Sequence, residues 1–121
     1  MVILNEQRDK AIKNLNLPNN LLKLIESKFV HEDLEFRFNP LRYSLESEDF
    51  SPSGLDVIPL WESDSSITGF YLKENKPVFI IYYVDDMDDF TTIGESINDL
   101  IEYLVEEYGE DEEELREVLK S

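Results

Sequence analysis

The sequence predicts an α+β domain, and three observations carry that prediction. Ile97, Leu100, Ile101, Leu104, Val105 and Tyr108 recur at helical spacing near the end of the chain. Val78 to Val84 is apolar throughout, as a strand covered on both faces should be. Helix-period segments come first, strand-period segments follow, and helix-period segments return at the end, so the two types are segregated rather than alternating.

Taken in order, Ile3 to Leu15 places Leu4, Ala11, Ile12 and Leu15 near one helical face, with Arg8, Lys10 and Lys13 elsewhere. Pro18 opens a second helix, because its missing N–H costs nothing in a first turn. Leu21, Leu22, Ile25 and Phe29 extend that helix to about Phe29. The period then shortens to two. Leu34, Phe36 and Phe38 alternate with Glu35 and Arg37, predicting a strand that Asn39-Pro40 ends. Leu41 to Gly54 is polar and reads as a loop around a short strand near Tyr43 to Leu45. Val57 to Trp61 is the next apolar run.

Ile67 to Leu72 and Val78 to Val84, joined by the polar stretch Lys73 to Pro77, predict a β-hairpin. On the helix that follows, Glu102, Glu106 and Glu107 face away from the apolar stripe. Ser96 with Asp99 forms its capping box, and Gly109 supplies a left-handed stop. Leu115, Val118 and Leu119 mark a short last helix whose acidic start, Glu110 to Glu114, suits the positive end of the helix dipole. At 121 residues, the chain is expected to form a single domain, 1–121.

Much chemistry is excluded by composition. The chain has no cysteine, which removes disulfides, thiolate nucleophiles and most structural zinc sites. His31 is the one histidine, and its place between two elements reads as a capping or surface residue rather than a catalytic base. The four glycines are separated, so no phosphate loop or dinucleotide fingerprint exists. No charged-then-apolar leader opens the chain, and no apolar stretch approaches the ~20 residues of a membrane span. The expected location is cytoplasmic, with no catalytic residues, no metal and no cofactor.

Asp85-Asp86-Met87-Asp88-Asp89 is the strongest metal candidate. A calcium loop starting at Asp85 wants glycine sixth and glutamate twelfth, where the chain has Phe90 and Ser96. The run therefore reads as a solvated loop or a protein-binding edge. Glu62 and Asp64 are carboxylates close in sequence, but an acid–base pair must face across a cleft, which proximity does not supply. Trp61 reads as closing the core at a strand end, with a partner anchor as the alternative.

Charge is the most informative property. The formal net charge is -17. Residues 1–84 carry 9 basic and 13 acidic side chains, a net of -4, whereas 85–121 carry 2 and 15, a net of -13. Such a surface repels nucleic acid and anionic membrane and attracts basic proteins. Residues 1–30 hold five Lys or Arg against three acids, so this part is a candidate to pair with the acidic C-terminal part.

Gly54-Leu55-Asp56-Val57-Ile58-Pro59-Leu60-Trp61, then an acidic turn from Glu62 to Ser66, a strand with Gly69-Phe70-Tyr71-Leu72, the Val78–Val84 strand and the Ser96-initiated helix follow one another in a familiar succession. Together with Leu17-Pro18 before an early helix, it resembles the SMI1/KNR4 (SUKH) superfamily. The resemblance implies a mixed or mostly antiparallel sheet of about 4–6 strands with N-terminal and C-terminal helices packed on it. Bacterial members of that family are regarded as immunity proteins that neutralise a cognate polymorphic toxin, often a nuclease; fungal relatives act in cell-wall regulation and signalling.

The expected function is thus that of a non-enzymatic acidic binder, an immunity protein for a basic, possibly nuclease, toxin domain. A regulatory adaptor with no toxin partner is the alternative. The expected partner-binding residues are Trp61, Glu62, Asp64, Asp85, Asp86, Asp88 and Asp89.

Overall fold

The computed structural model describes residues 1–35, 37–47 and 49–121. Helices α1 (Glu6–Asn14) and α2 (Asn19–Ile25) lead into a 3-10 turn (Glu32–Leu34) and a one-turn helix α3 (Tyr43–Glu46). Four strands follow, β1 (Ile58–Ser63), β2 (Ser66–Lys73), β3 (Lys76–Tyr83) and β4 (Asp86–Gly94), and then α4 (Ile97–Tyr108) and α5 (Glu112–Leu119). The strands form one antiparallel sheet in the order β1-β2-β3-β4. The α+β class and the helices flanking an antiparallel sheet are as the sequence predicts. No helix among the described residues is long and apolar enough to cross a membrane.

The hairpin between β2 and β3 turns through Glu74 and Asn75, with φ of 52° and 65°. Two successive positive φ values make the turn whose twist matches that of its strands. Facing pairs across an antiparallel sheet lie on one side of it. Phe70 with Phe79 and Thr68 with Ile81 point to one face, where Phe70 and Phe79 join Leu21, Leu24, Leu100, Leu104, Leu115 and Leu119 in the main core. Ile67 with Tyr82 and Tyr71 with Val78 point to the other, where Val57, Ile67, Val78, Ile80 and Tyr82 form a second core. Tyr43, Phe50 and Leu55 pack over this second core.

A bulge between Pro59 and Trp61 shifts β1 by one residue, so that Leu60 and Trp61 both reach the main core. Arg8 donates from Nε to Pro59 O at 2.9 Å beside this bulge. Gly69 is needed opposite it, since a Cβ there would lie 2.5 Å from Ile58 O.

Several elements differ from the sequence reading. α1 starts three residues late because Val2 and Ile3 join the sheet, with Val2 bridging Val57 and the Ile3 N–H donating to Val57 O at 2.8 Å. α2 stops before Phe29, which is 66% exposed. Ser27 takes a left-handed φ of 60°, and the Lys28 N–H reaches back to Lys23 O at 2.8 Å, closing the helix without glycine. The predicted strand at 34–38 is not formed by its described members. Leu34 ends the 3-10 turn and Phe38 packs edge-on to Trp61 at 5.2 Å; Phe36 lies outside the described residues.

Tyr43 to Leu45 is helical rather than extended. The carboxylate of Glu62 accepts the N–H groups of Tyr43 and Ser44, at 2.9 and 3.1 Å, and so caps α3 from a distant strand. Asp86 to Asp89 belongs to β4, not to a loop. α4 opens as predicted, with Ser96 Oγ accepting from the Asp99 N–H at 3.1 Å. Gly109, however, has φ −75° and is no left-handed stop; its missing Cβ matters because one would lie 2.7 Å from Val105 O. Among the described residues, no Lys or Arg before Val30 forms an ion pair with the acidic C-terminal part. α2 is tied to α5 instead through Asn20, whose side-chain amide donates to Val118 O at 2.7 Å.

Candidate protein-binding site

Short turns gather chemistry at one end of the sheet. Asp64 (φ 53°) and Ser65 link β1 to β2, and Val84 and Asp85 link β3 to β4. Ser66 pairs with Tyr83 in register, and the Val84 N–H donates to Ser65 O at 2.9 Å, so the two turns lie side by side. Asp64, Asp85 and Asp86 are all exposed there.

The end of α4 completes this surface. Tyr83 points to the helix-bearing face of the sheet, in line with Phe79 and Ile81, and is 57% exposed. Tyr83 and Glu107 stand close enough to Tyr103 and Tyr108 of α4 to oppose ionisation of their phenols, and the Tyr108 phenol faces the side chain of Ser63. Burial pushes the Tyr103 phenol up to about 12, with Glu107 acting in the same direction. Burial also raises that of Tyr108. Both rings therefore remain neutral hydrogen-bonding groups at physiological pH. Phe38 packs edge-on to Tyr108 at 5.3 Å, and the Arg37 guanidinium sits 5.9 Å from the ring centre.

Tyrosine offers a flat apolar body with a polar tip and loses little entropy when held, which is why it is enriched in interface hot spots. Carboxylates around such rings receive lysine and arginine by charge-assisted hydrogen bonds, and the rings receive the same cations on their faces. This end is thus chemically suited to a basic protein surface.

Of the expected contact residues, Asp64, Asp85 and Asp86 meet here. Asp88 and Asp89 lie further along β4, where four residues, Met87 to Phe90, intervene opposite Tyr82 alone. Asp88 is already engaged within the chain. Its Oδ1 accepts the Ser53 N–H at 2.7 Å, which holds its carboxyl below the usual range. Trp61 and Glu62 turn inward and leave the set. Each is only 2% exposed, Trp61 packed in the main core and Glu62 capping α3, so neither has surface to give a partner.

Tyr83, Tyr103, Tyr108 and Glu107 are the members that sequence reasoning missed. The available signal was that the apolar run of β3 closes on two tyrosines, Tyr82 and Tyr83, which a strand sends to opposite faces. Tyr82 goes in, donating to Phe50 O at 2.8 Å, with its phenol pushed far up by burial and by Glu62; Tyr83 stays out.

His31 is engaged on both ring nitrogens, Nδ1 accepting from the Asp33 N–H at 3.1 Å and Nε2 donating to Glu114 Oε1 at 3.0 Å. Among the described residues, no three His, Asp or Glu side chains are grouped to hold a metal ion. No family model, curated protein or solved structure matches the chain.

Proposed function

We propose that this is a non-catalytic cytoplasmic binding protein, and that it acts as an immunity protein by covering a basic toxin domain with the tyrosine–carboxylate end of its sheet. The observation that carries this reading is the meeting of Tyr83, Tyr103 and Tyr108 with Asp64, Asp85, Asp86 and Glu107 from two sheet turns, the strand ends beside them and α4. The resemblance of the sequence to the SUKH superfamily supports the immunity role. A nuclease must present lysine and arginine to the phosphate backbone, and carboxylates set among aromatic rings compete for those cations.

The test is affinity capture from host lysate with the wild-type chain and with a Tyr83→Ala/Asp85→Lys variant, at low and high salt. The expected result is one stoichiometric basic protein that high salt weakens and the variant loses. Expressing that protein alone should arrest growth, and co-expressing the wild-type chain should relieve the arrest. A spread of unrelated clients, retained by the variant, would replace this reading with that of a regulatory adaptor.

A further inference from the structure

The two edges of the sheet are treated differently. On the outer side of β1, Val57 is bridged by Val2, and Glu62 exchanges both backbone hydrogen bonds with Asn39, at 2.7 and 3.3 Å. The chain thus covers both ends of that edge itself, and the Arg8 side chain takes Pro59 O between them. Beyond β4 the described residues supply no backbone partner. Thr91 and Thr92 are exposed and β-forming, and no charge interrupts Phe90 to Gly94. A row of unpaired N–H and C=O groups of this kind is a template for another strand.

We propose that the Phe90–Gly94 edge of β4 receives an extended, lysine- or arginine-bearing segment of a protein partner as a fifth strand. This rests on the reading of the chain as the binder of a basic partner, and it adds the mode of binding. Charge chooses the occupant. The edge is flanked by Asp86, Asp88 and Asp89 on one side and Glu95 on the other, all exposed, with no Lys or Arg from Asp85 through Val105. A second copy of this chain is opposed in three simple registers and gains no attractive pair in the antiparallel one centred on Thr91, which sets Met87 against Glu95 and Asp88 against Gly94. Antiparallel pairing centred on Thr92 sets Asp89 against Glu95, pairing centred between Thr91 and Thr92 sets Asp88 against Glu95, and in-register parallel pairing sets each aspartate against itself. Like charges directly opposite destabilise a strand pair. A segment with basic residues at alternate positions reverses each of these terms, main-chain hydrogen bonds giving affinity and the flanking carboxylates giving selection.

The probe is a soluble eight-residue peptide alternating lysine and threonine, added at low salt to the intact, isotope-labelled chain. Backbone amide shifts and hydrogen exchange are read over Thr91, Thr92 and Ile93. Three control peptides accompany it: two N-methylated on opposite alternating sets of amides, and one with glutamate in place of lysine. The expected result is that outward-facing β4 amides exchange at least tenfold more slowly. One N-methylated peptide loses at least tenfold in affinity while the other binds, and the glutamate peptide does not bind. Equal binding by both N-methylated peptides overturns strand addition, as does absence of binding or a response confined to Tyr83 and Asp64. Failure here, with Tyr83-dependent capture of a basic partner intact, removes the fifth strand and leaves the tyrosine end standing. Failure of the capture alone removes the toxin and not the edge.

Discussion

The carboxylate of Glu62 accepts the backbone N–H of Tyr43 at 2.9 Å, joining residues nineteen apart in sequence and holding a one-turn helix over the second core. The same carboxylate takes the Ser44 N–H, and the Glu62 backbone pairs with Asn39. One residue thereby fixes the whole return of segment 39–46 onto the sheet. Hydrogen bonds to a buried charge contribute more than neutral ones, and removing the acceptor strands two N–H groups. Glu62→Ala should cost about 3 kcal/mol in a urea melt, with Glu62→Gln costing roughly half of that. An unchanged midpoint for Glu62→Ala would show that water takes over the cap.

Trp61 and Tyr83 are both large aromatics of the sheet, and their substitution should separate folding from binding. Trp61→Ala opens a hole in the main core and should cost about 3–5 kcal/mol. Tyr83→Ala removes a ring that is more than half exposed and should change stability by less than about 1 kcal/mol while abolishing partner capture. Equal losses of stability from the two would mean that Tyr83 belongs to the core.

His31 offers a pH test with a definite sign. Its hydrogen bond to Glu114 raises its pKa first of all, desolvation lowers it, and Asp33, Glu114 and Glu32 raise it further by charge. A group whose folded pKa is raised stabilises the fold fully below its unfolded pKa, about 6.5. That contribution is lost as pH rises through the higher folded value. NMR titration of the imidazole should give a midpoint above about 6.5, falling toward it in Glu114→Gln. A wild-type midpoint at or below the free value would break the assignment.

Salt should stabilise the free protein. Residues 85–121 carry a net -13 on one sheet edge and two helices, and such self-repulsion opposes compaction. Raising ionic strength from about 0.01 to 0.1 M shortens the screening length from roughly 30 to 10 Å. Thermal melts should shift upward by about 4 °C, corresponding to about 1 kcal/mol. A downward shift would mean that attractive pairs such as Arg116 with Glu102, 2.8 Å apart, outweigh the repulsion.

The legible parts of the fold were those whose conformation is decided locally. The Glu74-Asn75 turn, the continuous apolar run of β3 and the Ser96 cap each carry their own instruction. The strands expected at 34–38 and 43–45 were misread because the partners of these stretches lie elsewhere: α3 is capped by Glu62, and the Glu110 N–H donates to Asp33 Oδ2 at 3.2 Å. β4 hid behind its aspartates, and its half-buried Met87, Phe90 and Ile93 recur every third residue because the register slips, so no period of two was there to find. The proposed binding end was half legible. Its aspartates stand in two acidic turns, whereas Tyr83, Tyr103 and Tyr108 meet only once α4 has folded across the sheet.

Because the strands stand in space in the order in which the chain supplies them, the order of folding events follows from the topology. Each of the three pairings closes a loop of only a few residues, at little entropic cost. The sheet can therefore zip outward from the β2–β3 hairpin within its own 37 residues, Ile58 to Gly94. The late event is the return of 39–46 to Glu62, which needs β1 already in place. Pulse labelling during refolding should find the Phe79 to Ile81 amides protected before those of Tyr43 and Ser44. The reverse order would place the nucleus in the N-terminal half of the chain.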